Sequence, residues 1–554
     1  MKYKEIICDL KRIIPITFFF SFMLFFFAPY EIYLSNKGYF FFPGTDMLGI
    51  TIAMTLGSWI ILVLLFSVIR MINLNIFKIL IGCFFGGSLA LYLQGNWDTT
   101  DYGAWNGSDI DWSLFRIQLV IFVSLFVVLI LSCAVWSILC HELFIKVSAG
   151  ICSFVSLILV VTLGVLLVVK GGLSKDKEYI CTTEEELSLS SNENMIILVL
   201  DAFDSSAFRE IIDGSEGSQY MDMFKDFTYF PDTVTGYSST DMSLPLIITG
   251  KGYKNDKLFG EFLDEAYNDS EFLSWLDSND WERDIYTDSL MPQGNQGHGI
   301  CNSKQLKRIA SDKSELMYYM YTMVVFRYMP QPIKNHFYFY ADNIKGNLNM
   351  VIGDYTPFDG NDLKFWNRID SLSADKDHGV FQLFHIEGAH EPFTLTSNLN
   401  VVEESSYEEE CIASLMVTDK LISALKNAEI YDDSVIIVMA DHGYSNGRMN
   451  PLLLIKGKNE QHTFMISDMP VSYYDLQDAY IKLLESGTPA GLLFDNWDLS
   501  KERYYCTVPF NTHLGFNTYG GGMTEYVIMG HAWDASSASK TGKVYEEKEL
   551  FVIK

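Results

Sequence analysis

Apolar residues crowd the first third of the chain and thin out beyond it. Continuous apolar runs fall at 14–34, 47–69, 76–93, 117–139 and 149–169. Each is close to the ~20 helical residues that cross a hydrocarbon core of ~30 Å, so residues 1–170 are expected to form a bundle of five transmembrane helices. Lys2, Lys4, Lys11 and Arg12 precede the first run, but no small-residue cleavage site follows it, and that span is expected to be retained. Basic residues lie before the first run and in the turns at 70–78 and 141–146, whereas the intervening loops carry Glu31, Asp46, Asp98 and Asp111. The positive-inside bias places the basic loops in the cytoplasm. An odd number of spans then sends everything after Val169 to the extracytoplasmic face of a multi-pass cell-membrane protein.

The pattern changes after the last run. Residues 171–193 are polar and rich in Ser and Glu, and read as a linker. A domain is expected over 194–554. The stretches 195–200, 380–384 and 435–439 are continuously apolar, as in strands buried on both faces of a parallel sheet. Residues 407–427 keep Ile412, Leu415, Met416, Leu421, Ile422 and Leu425 at helical spacing. Strands alternating with helices predict an α/β domain with a mainly parallel central sheet.

Charge and cysteine content narrow the chemistry. A formal net charge of −29, with 69 acidic against 40 basic residues, excludes a nucleic-acid partner, which would need a dense Lys/Arg surface. The nine cysteines include no CxxC pair, so a zinc ribbon has no support. Cys181, Cys301, Cys411 and Cys506 fall in the polar part and could form disulfides in an oxidising compartment, with pairing left open.

In α/β sheets ligand sites gather at the carboxyl ends of the strands. Here those ends carry Asp201, His385, and Asp441 with His442. A lone acidic residue there is as readily a helix cap. Asp, His and Asp-His at three strand ends together supply the oxygen and imidazole donors of a divalent cation such as zinc or manganese.

Three motifs resemble a known family. V-I-I-V-M-A-D-H-G at 435–443 is similar to the metal-binding strand of sulfatases and lipid-head-group phosphotransferases. F-P-D-T-V-T-G-Y-S-S-T-D-M-S-L-P at 230–245 resembles the nucleophile segment of phosphoethanolamine transferases, whose reactive Thr stands five residues before a Pro, which is Thr240 here. H-I-E-G-A-H-E-P at 385–392 matches their H-x-x-G-x-H-x-P element. The layout, spans first and a long domain after them, is also that of lipoteichoic acid synthases. The chain therefore resembles membrane members of the alkaline phosphatase/sulfatase superfamily.

The resemblance implies a sulfatase-like fold and a cation held by Asp201, Asp441 and His442 with Thr240 as fourth ligand and nucleophile. His385 and His390 become candidates to protonate the leaving group, activate the acceptor or bind a second metal. His462, in Q-H-T-F-M-I-S-D-M-P-V-S, stands where such enzymes often place a further metal- or phosphate-contacting His. Asp204 is expected to be a solvated helix-start residue, with a carboxylate supporting the ligands from behind as the alternative. The partners implied are a phospholipid donor and a cell-envelope glycan or lipid acceptor, with glycerol phosphate or ethanolamine phosphate as the group transferred. Hydrolysis of a phosphodiester or phosphomonoester by the same nucleophile is the alternative, and a lipid-binding relative without chemistry is another. Thr240 is followed by Asp-Met-Ser-Leu, not by the x-Pro-x-Arg signal of formylglycine sulfatases, which disfavours sulfate-ester hydrolysis. No cysteines flank it, and Asp201 stands where the Gram-negative transferases use Glu.

Overall fold

The computed structural model describes residues 2–37, 40, 42–98, 100, 110–174, 179–257, 259–287, 299–305, 312–334, 336–337, 355–444, 448–494, 498, 500–508 and 522–546. They divide into two compact units, Met1–Lys175 with Lys307–Ile352, and Asp176–Leu306 with Gly353–Lys554.

The first unit contains five helices long and apolar enough to cross a membrane: Ile6–Ser35, Gly44–Ile72, Leu74–Trp97, Trp112–Leu139 and His141–Val169. Glycines bring two of them together. A Cβ on Gly86 would lie 2.5 Å from the Leu129 carbonyl oxygen, and one on Gly82 would lie 2.7 Å from Ala134 Cα, so the third and fourth helices touch backbone to backbone. Three helices also share a buried ion pair in which Arg70 Nε donates to Asp9 Oδ2 at 2.6 Å, with His141 Nε2 3.5 Å from the same oxygen.

Residues 312–334 were expected within the second domain, yet they group with the membrane helices. Charge pairing gives the reason. On and beyond the helix Lys313–Tyr328, Lys313 meets Asp46 at 3.2 Å, Arg327 meets Glu31 at 2.8 Å, and Lys334 meets Asp98 at 2.6 Å. The acidic loop residues thus find their cations in a segment far along the chain, and the Tyr321 hydroxyl adds a bond to the Phe25 carbonyl at 3.0 Å.

The second unit is built on a seven-stranded sheet, whose strands are numbered here in chain order: β1 Asn194–Leu200, β2 Thr228–Tyr229, β3 Glu282–Tyr286, β4 Val380–Ile386, β5 Ser434–Met439, β6 Leu453–Lys456 and β7 Met465–Ile466. Their spatial order is β7-β2-β6-β5-β1-β4-β3. The run β5-β1-β4-β3 is parallel, and β6 alone lies antiparallel to both of its neighbours. β1, β4 and β5 are buried along their whole length, as unbroken apolar runs require when helices cover both faces. The sheet is therefore the mainly parallel one expected. β4 runs two residues further than its apolar run suggested, because Val199 pairs with His385 and Leu200 with Ile386. Residues 179–190, expected as linker, carry two short strands, Tyr179–Cys181 and Ser188–Ser190, paired with Ser303–Gln305 and Ser373–Lys376.

Candidate active site

Four chain segments converge at the carboxyl ends of β1, β4 and β5. Asp201 follows β1, His385 lies in the last turn of β4, and Asp441 and His442 follow β5. Thr240 opens the helix Thr240–Thr249, with Ser239 as its extended N-cap. Donor atoms of Asp201, Asp441 and His442 all lie within 4.8 Å of one another. Thr240 Oγ1 is 3.3 Å from Asp201 Oδ2 and 3.4 Å from His442 Nε2. His385 Nε2 stands 3.3 Å from Asp201 Oδ2, and His442 Nε2 is 3.4 Å from Asp441 Oδ2. Asp441 and His442 are almost fully buried, and Asp201 is 8% exposed.

Buried carboxylate oxygens normally have donors. Asp201 Oδ1 and Asp441 Oδ2 accept no hydrogen bond, although both are sealed from solvent. Two orphaned oxygens, 3.7 and 3.4 Å from the His442 Nε2, make with that imidazole a donor set that fits a divalent cation of the zinc or manganese kind. Burial alone would raise the Asp201 carboxyl. The hydrogen bond from His385 and the fields of His442, His385 and His390 overcome it and hold that group well below the ordinary carboxylate range.

The loops are held by residues that sequence patterns did not single out. The Ala202 N–H donates to Asp441 Oδ1 at 3.1 Å, and the Thr235 hydroxyl donates to the Asp441 carbonyl at 2.7 Å. Thr287, directly after β3, sets its hydroxyl 3.3 Å from His385 Nδ1. It stands at a strand end like the others, and the strand-end rule would have found it had β3, with its charged Glu282, Arg283 and Asp284, been legible as a strand. Gly388 has φ +60, and a Cβ there would lie 2.5 Å from the Asp201 amide nitrogen, so the glycine of H-x-x-G-x-H lets its loop lie against β1. Asp362 Oδ1 accepts from the Gly388 N–H at 3.1 Å, and burial raises the Asp362 carboxyl well above its usual range.

Two sequence expectations change. Asp204 is not solvated: it is 3% exposed, and its Oδ1 accepts from the Tyr444 N–H at 2.9 Å, which fixes the loop beyond His442. His462 does not join the cluster. Its N–H donates to Asp226 Oδ1 and its carbonyl accepts from the Asp226 N–H, and Asp226 precedes β2. Through the β2–β6 and β6–β5 registers that places His462 level with the start of β5, whereas Asp441 and His442 lie beyond its end. His390 is exposed, with Nδ1 2.6 Å from the Glu391 carbonyl. It lies outside the ligand set, though its field reaches Asp201.

This chain is similar in structure to the integral membrane lipooligosaccharide phosphoethanolamine transferase A of Neisseria meningitidis, at 13% identity and a TM-score of 0.30, over 86% of this chain and 95% of that one. It is similar to an alkaline phosphatase superfamily protein of Vibrio parahaemolyticus, at 13% identity and a TM-score of 0.36, over 66% and 80% of the two chains. It is also similar to a phosphonate monoester hydrolase of Silicibacter pomeroyi, at 11% identity and a TM-score of 0.35, over 64% and 88%. No family model and no curated protein sequence matches the chain. The likeness is one of fold, and the role of each residue rests on its own geometry.

Proposed function

We propose that the chain is a membrane-held, metal-dependent phosphotransferase. It moves a phospho-alcohol, glycerol phosphate or ethanolamine phosphate, from a phospholipid donor to a cell-envelope glycan or lipid, through a phospho-threonine at Thr240. The supporting observation is the place of Thr240 Oγ1, within 3.4 Å of both Asp201 and His442 at the first residue of a helix.

A Thr hydroxyl is a weak nucleophile and needs activation. Asp201, Asp441 and His442 would hold a divalent cation, which when bound would supply it by lowering the hydroxyl's pKa and offsetting charge on the phosphoryl oxygens. The free N–H groups at the start of the helix that Thr240 opens would add donors for an anionic phosphoryl group there. Thr240 Oγ1 bonds to phosphorus, its proton is released to solvent, and the bond from phosphorus to the diacylglycerol oxygen breaks. His385 or His390 protonates that leaving oxygen. An acceptor hydroxyl then gives its proton back to the same His and bonds to phosphorus as the Thr240 Oγ1–P bond breaks, and Thr240 Oγ1 takes up a proton from solvent.

Five apolar helices hold the donor's bilayer and the site in one chain, so the lipid is met at high effective concentration. Incubating the purified protein with defined phospholipids and no acceptor tests the reading. Diacylglycerol release is expected, with an intact-mass gain of one phospho-alcohol that maps to Thr240. Label on Ser238, Ser239 or Ser243 instead would overturn the assignment.

A further inference from the structure

Beside the cluster, three aromatic rings form a surface that the phosphotransfer chemistry leaves unused. Tyr407 and Tyr444 stack with centroids 4.6 Å apart and planes 22° from parallel. Phe393 closes on both, at 5.6 Å from Tyr444 and 5.8 Å from Tyr407. All three are half-buried. They belong to the site by direct bonds. The Tyr407 hydroxyl donates to the Ala202 carbonyl at 3.0 Å and accepts from the Asp204 N–H at 2.8 Å, one and three residues past Asp201. Tyr444 stands two residues past His442, and its N–H is held by Asp204. The Tyr444 hydroxyl donates to Glu391, the exposed neighbour of His390.

The surface is built to stay in place. The buried Glu410 carboxylate receives the N–H groups of Thr394 and Leu395, and the Ser405 hydroxyl donates to the Leu395 carbonyl at 2.6 Å, so the loop that carries Phe393 is tied at both ends.

We propose that Phe393, Tyr407 and Tyr444, with Glu391 at their rim, form a carbohydrate subsite that seats the sugar ring bearing the acceptor hydroxyl. The proposal rests on the phosphotransferase reading above. Aromatic faces carry negative charge density and attract the partly positive C–H face of a pyranose. A carboxylate at the edge of such a face accepts sugar hydroxyls, and Glu391 keeps one oxygen beyond the one that Tyr444 engages. Ring packing decides against an ammonium head group. A cation is best held when several ring faces surround it, and here two rings stack on each other and the third stands at 58° and 73° to them, so they pack together and form no cage. The exposed carboxylates Glu391 and Glu408 also disfavour an anionic acceptor.

Two measurements on the full-length protein in nanodiscs test this. Saturation-transfer NMR with methyl β-D-glucopyranoside needs no turnover. A ring-proton signal with wild type that is lost in Tyr444→Ala and kept in Tyr444→Trp is expected, and an equal signal in all three would overturn the subsite. In the second measurement, methyl glucoside and glycerol are compared as acceptors with a mixed phosphatidylethanolamine and phosphatidylglycerol donor. The ratio of their kcat/KM values should fall about tenfold in Tyr444→Ala, and Tyr444→Trp should restore it. An unchanged ratio would overturn the subsite, as would competition by choline that Tyr444→Ala abolishes, since that would make the wall an ammonium site. Failure of wild type to form phospho-threonine, with the NMR signal intact, would count against the transfer reading and leave the sugar platform standing.

Discussion

At the residue scale, the arrangement of Thr240, Asp201, Asp441 and His442 makes separable demands. Asp441→Ala and His442→Ala each remove a donor to the cation, and each should strip most of the bound metal, measured by elemental analysis of the purified protein. Asp441 also accepts the Ala202 N–H, so Asp441→Ala should cost roughly 1–3 kcal/mol of stability as well, from leaving that buried donor unpaired. A metal-replete, fully active double variant would refute the ligand set. Thr240→Ala should behave differently, abolishing turnover while the cation remains on three ligands. Thr240→Ser keeps the hydroxyl at the helix start and should retain activity. Undiminished turnover by Thr240→Ala would remove the nucleophile and the reaction class with it.

Strands and loops set a second group of expectations. The H-x-x-G-x-H loop lies on β1 because Gly388 has no side chain, so Gly388→Ala must adopt a left-handed φ and push against the Asp201 backbone. The left-handed conformation alone costs about 1–2 kcal/mol. Thermal unfolding and metal affinity should both fall, whereas an alanine at the exposed Gly487, which has nothing near its Cβ position, should lower thermal stability alone. A pH effect belongs to β3. Burial, with a smaller contribution from the Glu282 charge, raises the Asp284 carboxyl from 3.8 to about 7. Between those values the folded chain holds a proton that the unfolded chain lacks, so this group's contribution to stability is lost as pH rises through that window. Asp284→Asn should flatten the dependence, by at most a few kcal/mol between about pH 4 and 7, read as the melting temperature across pH. An identical slope in the variant would show that Asp284 does not carry it.

For the molecule as a whole, the acidic loop residues Glu31, Asp46 and Asp98 bind Arg327, Lys313 and Lys334, which lie in the chain beyond the fifth span. Those three residues and that segment therefore share one side of the bundle. Basic loops at 70–78 and 141–146 lie on the other, and the positive-inside bias leads us to propose that this other side faces the cytoplasm. A reporter fused after Lys554 should read as extracytoplasmic and one inserted at 70–78 as cytoplasmic. The reverse pattern would separate the site from an envelope acceptor.

The sequence by itself determined the five spans, the buried parallel strands and the identity of Asp201, Thr240, Asp441 and His442. Spans, strands and the three ligand candidates are written in local signals: apolar run length for a bilayer, unbroken apolar runs for strands covered on both faces, and polar residues at the strand ends where ligand sites form, whereas Thr240, at a helix start, was singled out only by the resemblance of its motif to a known nucleophile segment. What depends on partners distant in the chain was not legible. Nothing local marks Lys313, Arg327 and Lys334 as partners of Asp46, Glu31 and Asp98, so the grouping of 312–334 with the membrane helices was decided only in three dimensions. His462 carries the residue type and local pattern of a site histidine, yet strand register sets it at the wrong end of the sheet. Thr287, Asp204 and the Phe393–Tyr407–Tyr444 wall acquire their roles from contacts across four loops, a geometry fixed by the order in which β1, β4 and β5 lie side by side.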